Sequence, residues 1–396
     1  MQHTDQGRSA LPAADADSLR HSRRVADFVH AEIRAAGGSI SFAEFMQHVL
    51  YAPGLGYYSA GARKLGAGGD FVTAPEVSPL FGRVLARQLA PLLRENRGRE
   101  LLELGAGSGT LIVQLLGSLR ELDALPAHCR ILEVSADLRE RQQARIAREL
   151  PGFDARVSWI DSLPRNFRGV VVANEVADAL PVERFVRTAG GVEQLRVASG
   201  RDGFVLARAP APAYLERAVA EIETGLRRRL PAGYVSEVST GLPGWIGDIA
   251  ASLEEAFVFL FDYGVARHEY YAPDRDGGWL RCHFRHRAHD DPLCHPGIQD
   301  LTAWVDFTAV AHAAASAGMV VAGYVTQSRF LLDGGLLDEM AARESSAAAA
   351  QLELSRQVKL LTLPGEMGEH FKCLGLSTGN VMQPDALRAG DRAHVL

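Results

Sequence analysis

The sequence predicts an α/β protein built on a doubly wound parallel sheet, with a helical addition at its N-terminus. Three observations predict it. From about residue 95, short apolar runs alternate with amphipathic stretches; the first run ends in a glycine-rich turn, LLELGAGSG (101–109); and polar residues recur at the ends of four successive runs. Repeated strand and helix, with strands apolar on both faces, is the pattern of a parallel sheet covered by helices on either side.

Residues 1–18 read as a flexible leader. Residues 19–94 read as a helical region followed by a loop rich in glycine and proline. Val25, Phe28, Val29 and Ile33, then Phe42, Phe45, Met46 and Val49, fall at helical spacing on either side of GGS (37–39). Ser41 with Glu44 three residues later is a capping-box pattern that opens the second helix. The loop spans 51–81 and has no period, and a loop that long inside a compact protein usually carries function. FGRVLARQLAPLL (81–93) is an amphipathic helix. Residues 95–396 read as the sheet domain, with insertions near 185–250 and 265–305. ELLELGAG, CRILEVS, ARVSWID and GVVVANE are its first four strands, and GTLIVQLLGSL and ADLRERQQARIAREL are helices between them. Beyond them the pattern predicts a hairpin over 193–208, a helix from about Tyr214 to Arg229, a strand near 257–262 preceded by a helix, and a further helix and strand over 306–327.

The chain has 396 residues, of which 47% are hydrophobic and 23% charged, so it can bury a full core and is not a disordered chain. Its net charge of -6, without a basic stripe, gives no reason to expect a nucleic-acid partner. No apolar run reaches the ~18 residues needed to span a bilayer, and the N-terminal residues lack the apolar centre of a secretory signal. Four dispersed cysteines predict reduced thiols. Together these point to a cytoplasmic protein, and a homodimer stays open.

The glycine loop holds glycines at 105, 107 and 109, which is G-x-G-x-G rather than the G-x-G-x-x-G of a dinucleotide site. Glu103 stands two residues ahead of the first glycine. A carboxylate there is unfavourable for a pyrophosphate but complements the ammonium or sulfonium end of S-adenosylmethionine. Glu133, near the end of the second strand, suits ribose hydroxyls; Asp161, after the third, suits an adenine amino group; Asn174 and Glu175 end the fourth, at the crevice where open sheets bind ligands. Four polar strand ends in register form one site for S-adenosylmethionine, with S-adenosylhomocysteine as the product.

With that loop, GDFVTAPEVSPLFG (69–82), ANEVADALPVERF (173–185), DYG (262–264) and HPGIQDLTAWVDF (295–307), the chain resembles the MidA-type methyltransferases over about residues 20–375. The resemblance implies an α/β class I S-adenosylmethionine-dependent methyltransferase fold, a Rossmann-like doubly wound sheet with an N-terminal helical addition and insertions. It implies a protein methyltransferase that makes symmetric dimethylarginine on a subunit of the respiratory NADH dehydrogenase (complex I). The candidate cofactor-binding set is then Glu103, Gly105, Ala106, Gly107, Gly109, Glu133, Ser135, Asp161 and Asn174, with Gly69, Asp70, Thr73 and Pro75 folding over the cofactor. The candidate catalytic set is Asn174, Glu175 and Asp178. One departure is that the family's usual NEFFDALP is here NEVADALP, with Val176 and Ala177 in place of two aromatics.

Methyl transfer from a sulfonium is an in-line displacement that depends mostly on holding the nucleophile at near-attack distance. An arginine acceptor stays protonated, so carboxylates must localise its charge, and Glu175 and Asp178 are the acids placed to do so. The alternative for Glu175 is a cap on a following helix. RCHFRHRAHDDPLCH (281–295) reads as an exposed loop without a metal, because Cys282 and Cys294 stand twelve apart. Tyr57, Tyr58 and Phe71 would form either an aromatic lid or a staple to the core, and Asp262 and Tyr263 would face the crevice without an assigned role. A second class also stays open: a non-catalytic assembly protein that keeps the fold and binds the cofactor.

Overall fold

The computed structural model describes residues 11–60, 72–95, 98–343 and 348–396. α1 (Ala16–Ala35) buries Val25, Val29 and Ile33 on one stripe. It is followed by a three-residue strand, β1 (Ser39–Ser41), and by α2 (Phe42–Tyr51), which opens on the Ser41–Glu44 capping box. A short turn of helix, α3 (Ala74–Val77), leads into α4 (Pro79–Arg94). Then come β2 (Glu100–Leu104), α5 (Thr110–Glu121), β3 (Cys129–Leu132), α6 (Ala136–Glu149), β4 (Val157–Ile160) and β5 (Phe167–Asn174). Next are β6 (Glu183–Thr188), β7 (Gly191–Ser199), β8 (Phe204–Pro210), α7 (Ala213–Leu226), β9 (Val235–Val238), α8 (Leu242–Ser252) and the long β10 (Leu253–Val265). The chain continues through α9 (Arg267–Tyr270), β11 (Leu280–Phe284), β12 (Arg287–His289), β13 (Asp300–Ala303), β14 (Val305–Asp306), α10 (Phe307–Ser316), β15 (Val320–Thr326) and β16 (Phe371–Thr378).

The main sheet has the order β15-β16-β10-β5-β2-β3-β4. β4, β3, β2, β5 and β10 are mutually parallel; β16 is antiparallel to β10, and β15 at the edge, antiparallel to β16, runs the same way as the parallel set. Strand order therefore reverses at β2, and the crevice between β2 and β5 is the switch point at which such sheets bind ligands. Successive strand residues point to opposite faces, and both faces are covered here. Val170, Val172, Phe257, Phe259 and Phe261 pack with Leu85, Leu89, Ile112 and Leu116 from α4 and α5. Val171, Ala173, Val258 and Leu260 pack with Ile246, Ile249, Val310 and Ala314 from α8 and α10. A sheet buried on both sides explains why these strands read as continuous apolar runs.

Two smaller sheets flank it. β1-β7-β6-β9, with β8 on β7, joins the N-terminal portion to the 183–238 stretch through Ile40 opposite Val197. The expected hairpin is β7–β8, while β1 was read only as a break between helices because three residues carry no period. The Cys/His stretch is not the exposed loop expected. It forms β12-β11-β13, in which Cys282 and Phe284 alternate inward with Leu280. Cys282 joins a core cluster with Phe42, Phe45 and Leu301, and that burial is what turns the segment into a sheet. Likewise the expected helix ahead of the 257–262 strand ends earlier, at Ser252, since Glu254 to Ala256 already belong to β10.

Candidate functional site

β2 ends at Leu104 and the chain turns on three residues in the left-handed region: Gly105 (φ +63), Gly107 (φ +53) and Gly109 (φ +75). A Cβ on Gly105 would lie 3.1 Å from Val176 Cγ2, so the glycine loop and the NEVADALP loop touch at a point with no room for a side chain. Gly109 is also the N-cap of α5, whose first-turn N–H groups face the loop. The loop is latched from outside by Gln142 of α6, which is fully buried. Its Nε2 donates to Gly107 O (2.9 Å) and to Glu133 Oε2 (3.1 Å), and its Oε1 accepts from Trp159 Nε1 (2.7 Å). One amide therefore ties the turn after β2 to the acid after β3 and the indole of β4. Sequence reading missed Gln142, because in RQQARIAREL it looks like part of a solvated helix face.

Glu133 is held for a ligand by its neighbours. Ser135 N donates to its Oε1 (2.9 Å), while the Ser135 hydroxyl caps α6 by accepting from Leu138 N (3.4 Å). Asp161 stands at the rim, 88% exposed in its side chain, and is engaged by Arg139. Glu103 is the opposite case. It is 2% exposed, its Oε2 has no hydrogen-bond partner, and burial with the nearby Glu133 carboxyl pushes its pKa up to about 8. Burial likewise raises Glu133, against the Ser135 amide and the Gln142 side chain, which pull it down. An orphaned buried carboxyl oxygen beside a glycine turn fits a cationic amino-acid group, which would supply the missing donor.

That arrangement sets a pH dependence. In the ligand-free fold Glu103 holds its proton up to about 8, against an ordinary value of 4.5, so it lowers stability progressively as pH rises from 4.5 through 8. A cofactor with a positive amino-acid end binds the ionised form, so binding expels the proton. Calorimetric affinity for S-adenosylmethionine should rise with pH by up to about tenfold per unit below 8 and level off above it, with Glu103→Gln flattening the profile. A profile already flat in the native chain would refute this.

The other wall comes from β5 and β10. Glu175 has φ +54, and its N–H donates to Phe261 O (2.9 Å). No helix follows it, so it is not a helix cap. Asn174 Nδ2 donates to Glu175 Oε1 (3.2 Å), leaving Asn174 Oδ1 buried and unpartnered. Asp178 is 5% exposed; the Tyr263 hydroxyl donates to its Oδ2, and its Oδ1 is buried without a partner. Burial, then the Asp178 carboxyl, pushes Glu175 well above the ordinary range, and burial lifts Asp178 to about 6. None of Glu103, Glu133, Glu175 and Asp178 pairs with a described basic side chain, whereas Glu339, for one, pairs with Arg83, Arg87 and Arg343. Among the described residues the candidate site thus carries uncompensated acidity.

The segment over 73–78 lies against both walls. Glu76 accepts from Thr73 N (3.4 Å) and from Ser108 Oγ (2.9 Å), and Pro75 O accepts from Gln114 Nε2 (2.7 Å). The Ala74 amide leans on Glu175 and works against its raised pKa. Gly69, Asp70 and Phe71 lie outside the described residues. Tyr57 and Tyr58 staple rather than cover: Tyr57 is fully buried, and Tyr58 donates to Asp300 Oδ1 (2.8 Å) and stacks on Tyr51 (5.4 Å). Among the described residues no group of His, Cys, Asp and Glu is placed to hold a metal, and no helix is long and apolar enough to cross a membrane. Beyond the acid loop a cleft of about 1060 Å³ opens between α7, α8 and α10, with Ala177 and Trp304 in its wall.

Fold and site together define an α/β methyltransferase of the kind that places its cofactor at the switch point of a doubly wound sheet. Residues 84–325, more than half of the chain, match the family model described as "Putative S-adenosyl-L-methionine-dependent methyltransferase" (Methyltransf_28), and the chain belongs to that family. A solved Burkholderia thailandensis protein of the COG1565 superfamily, crystallised with S-adenosyl-homocysteine, is 41% identical with a TM-score of 0.92 over 98% of this chain and 100% of that one. The Bos taurus protein arginine methyltransferase NDUFAF7, mitochondrial, is 30% identical over 86% of this chain and 80% of its own length. The Homo sapiens protein of the same name is 28% identical over 86% and 80%.

Proposed function

We propose that the protein transfers methyl groups from S-adenosylmethionine to arginine side chains of a protein substrate. The observation that carries this reading is the uncompensated acidity of the site, whose buried acceptor oxygens on Glu103, Asn174 and Asp178 have no donor among the described residues. Both reactants would be cationic, and each would supply N–H donors. Glu103, Glu133, Asp161, Ser135 and the turn at Gly105, Ala106, Gly107 and Gly109 hold the cofactor, with Thr73 and Pro75 leaning over it. When bound, S-adenosylmethionine supplies an electrophilic methyl on sulfur. Glu175 and Asp178 would hold the guanidinium and concentrate its charge on the nitrogens they face, leaving a lone pair on the one that attacks, and one of them would take up the single proton released as the N–C bond forms and the methyl–sulfur bond breaks. A water-excluding position strengthens both effects.

The names of the NDUFAF7 relatives support arginine as the acceptor. The resemblance further points to a subunit of respiratory NADH dehydrogenase as target, with symmetric dimethylarginine as product. Those relatives are mitochondrial by name. The test is transfer of labelled methyl from S-adenosylmethionine in lysate of a strain lacking the protein, followed by mass spectrometry of the labelled band. Dimethylarginine in one protein is the expected result. Label confined to a small molecule would remove the protein-methyltransferase reading, and tight cofactor binding without any transfer would favour a non-catalytic assembly protein.

A further inference from the structure

The FDYG stretch at the end of β10 stands against the acid loop with no part in the chemistry described so far. β5 and β10 run parallel and in register up to Asn174 opposite Phe261, so the residues just beyond each meet at the same sheet edge. Asp262 is fully buried there. Its Oδ2 accepts from Ala177 N (2.9 Å) and Asp178 N (3.2 Å), and its Oδ1 accepts from Tyr263 N (3.0 Å). Three backbone donors converging on one carboxyl group hold the loop that carries Asp178 in a single conformation. Ala303 N, donating to Asp178 O (2.9 Å), fixes it from the opposite side. Tyr263 is set edge-on between Trp304 (6.1 Å) and Phe371 (5.4 Å), so its hydroxyl cannot swing away from Asp178 Oδ2.

We propose that Asp262 and Tyr263 are positioning residues that aim Asp178, Asp262 by fixing the 177–178 backbone and Tyr263 by occupying Oδ2, so that Oδ1 alone is presented to the guanidinium. The inference rests on the reading of Asp178 as an acceptor-orienting carboxylate. The Tyr263 hydroxyl favours the ionised form of Asp178, whereas Asp262, pushed well up by burial and then by the Asp178 and Glu175 carboxyls, stays neutral while Asp178 ionises and acts on it through the backbone alone. The other groups facing Asp178 are Glu175 on its own loop, Tyr51 from α2, which feels the Asp178 charge and donates to Ala179 O (2.8 Å), Tyr58, which feels that charge too, and Thr302 from β13, whose hydroxyl leans on Tyr263. Burial is the main force raising Asp178, and Tyr263 is the largest influence holding it down.

The test uses the full chain labelled with ¹³C at aspartate carboxyl carbons, the Asp178 resonance being the one missing in Asp178→Asn. Tyr263→Phe should move the Asp178 titration upward by roughly one pH unit, the scale of one charge-assisted hydrogen bond, and Asp262→Asn should move it the same way, by loosening the 177–178 backbone and with it the contact of Asp178 with the Tyr263 hydroxyl. Both variants should keep S-adenosylmethionine affinity within about threefold, which also reports that they fold. In the methyl-transfer assay the acidic limb of the Tyr263→Phe profile should follow the same upward shift, so that activity recovers as pH rises. A packing role would lower the rate equally at every pH and leave the titration in place. An Asp178 titration unmoved in both variants overturns the proposal. Shifted titrations with full transfer by Asp178→Asn would instead sink the acceptor role of Asp178 while leaving the geometry of the three residues standing.

Discussion

Glu175→Gln is expected to abolish methyl transfer, lowering kcat by at least ~100-fold, while S-adenosylmethionine affinity stays within about threefold. The substitution keeps the volume and the oxygen that accepts from Asn174 Nδ2, and it removes only the ability to carry charge and take up a proton. Glu175 sits in left-handed backbone at the end of β5, against the Ala74 amide and beside Asp178, on the side of the glycine loop marked by Val176. Among the described residues Glu175 bonds Asn174 and the Ala74 amide but neither Glu103 nor Glu133, and Gln keeps the oxygen that Asn174 uses, so cofactor binding should change little. Single-turnover transfer of labelled methyl, with calorimetry for the cofactor, measures both quantities. Retained turnover would sink the assignment. Because Glu175 and Asp178 are both raised by burial, the native rate should climb with pH across the range in which the pair ionises, with Asp178 contributing near about 6.

Gly105→Val should produce the complementary defect, a loss of cofactor affinity of at least ~100-fold with transfer lost as a consequence. Left-handed backbone costs an L-residue roughly 1–2 kcal/mol, and a β-branched side chain is a true outlier there. At Gly105 (φ +63) the added Cβ would also press to 3.1 Å on Val176, so the turn and the acid loop cannot both keep their places. Gly105→Ala should be intermediate, since it pays the backbone cost and only the first contact. Circular dichroism and thermal unfolding should show the sheet intact in both, because the turn lies beyond the last β2 residue, Leu104. A Gly105→Val protein that binds S-adenosylmethionine normally would remove the glycine loop from the site. Set side by side, Gly105→Val and Glu175→Gln should separate binding from chemistry.

Much of this was legible before any coordinates. The sheet could be read because its strands repeat a local pattern, apolar on both faces and punctuated by glycine or polar residues, and the observed order places β2, β3, β4 and β5 as that pattern implies. The Ser41–Glu44 capping box is equally local, three residues apart. Where the reading fell short, the deciding partner was distant. β1 exists because Ile40 finds Val197, and residues 280–289 pair as strands because Leu280 and Cys282 have a core to enter. β9 and β16 escaped notice as strands, each being defined by its neighbours in the sheet more than by its own period.

The candidate site divides in the same way. By itself the sequence determined which chemistry is on offer: a turn that only glycine can make, acids rather than bases at the strand ends, and family membership that follows from those stretches. Their placement at one edge follows from the unit length of a parallel strand and helix, so consecutive strand ends needed no coordinates to be grouped. Tertiary structure alone decided how the groups are held. Gln142 became the latch of the glycine loop, Tyr263 and Asp262 closed on Asp178, and Arg139 took Asp161 to the rim. It also left the inner acids without a cation among the described residues, which no composition could show in a chain with 42 basic residues. The physical reason is range. Backbone conformation and periodic burial are set by residues a few positions apart, whereas desolvation and hydrogen-bond partnership depend on what the fold brings within about 4 Å from anywhere in the chain.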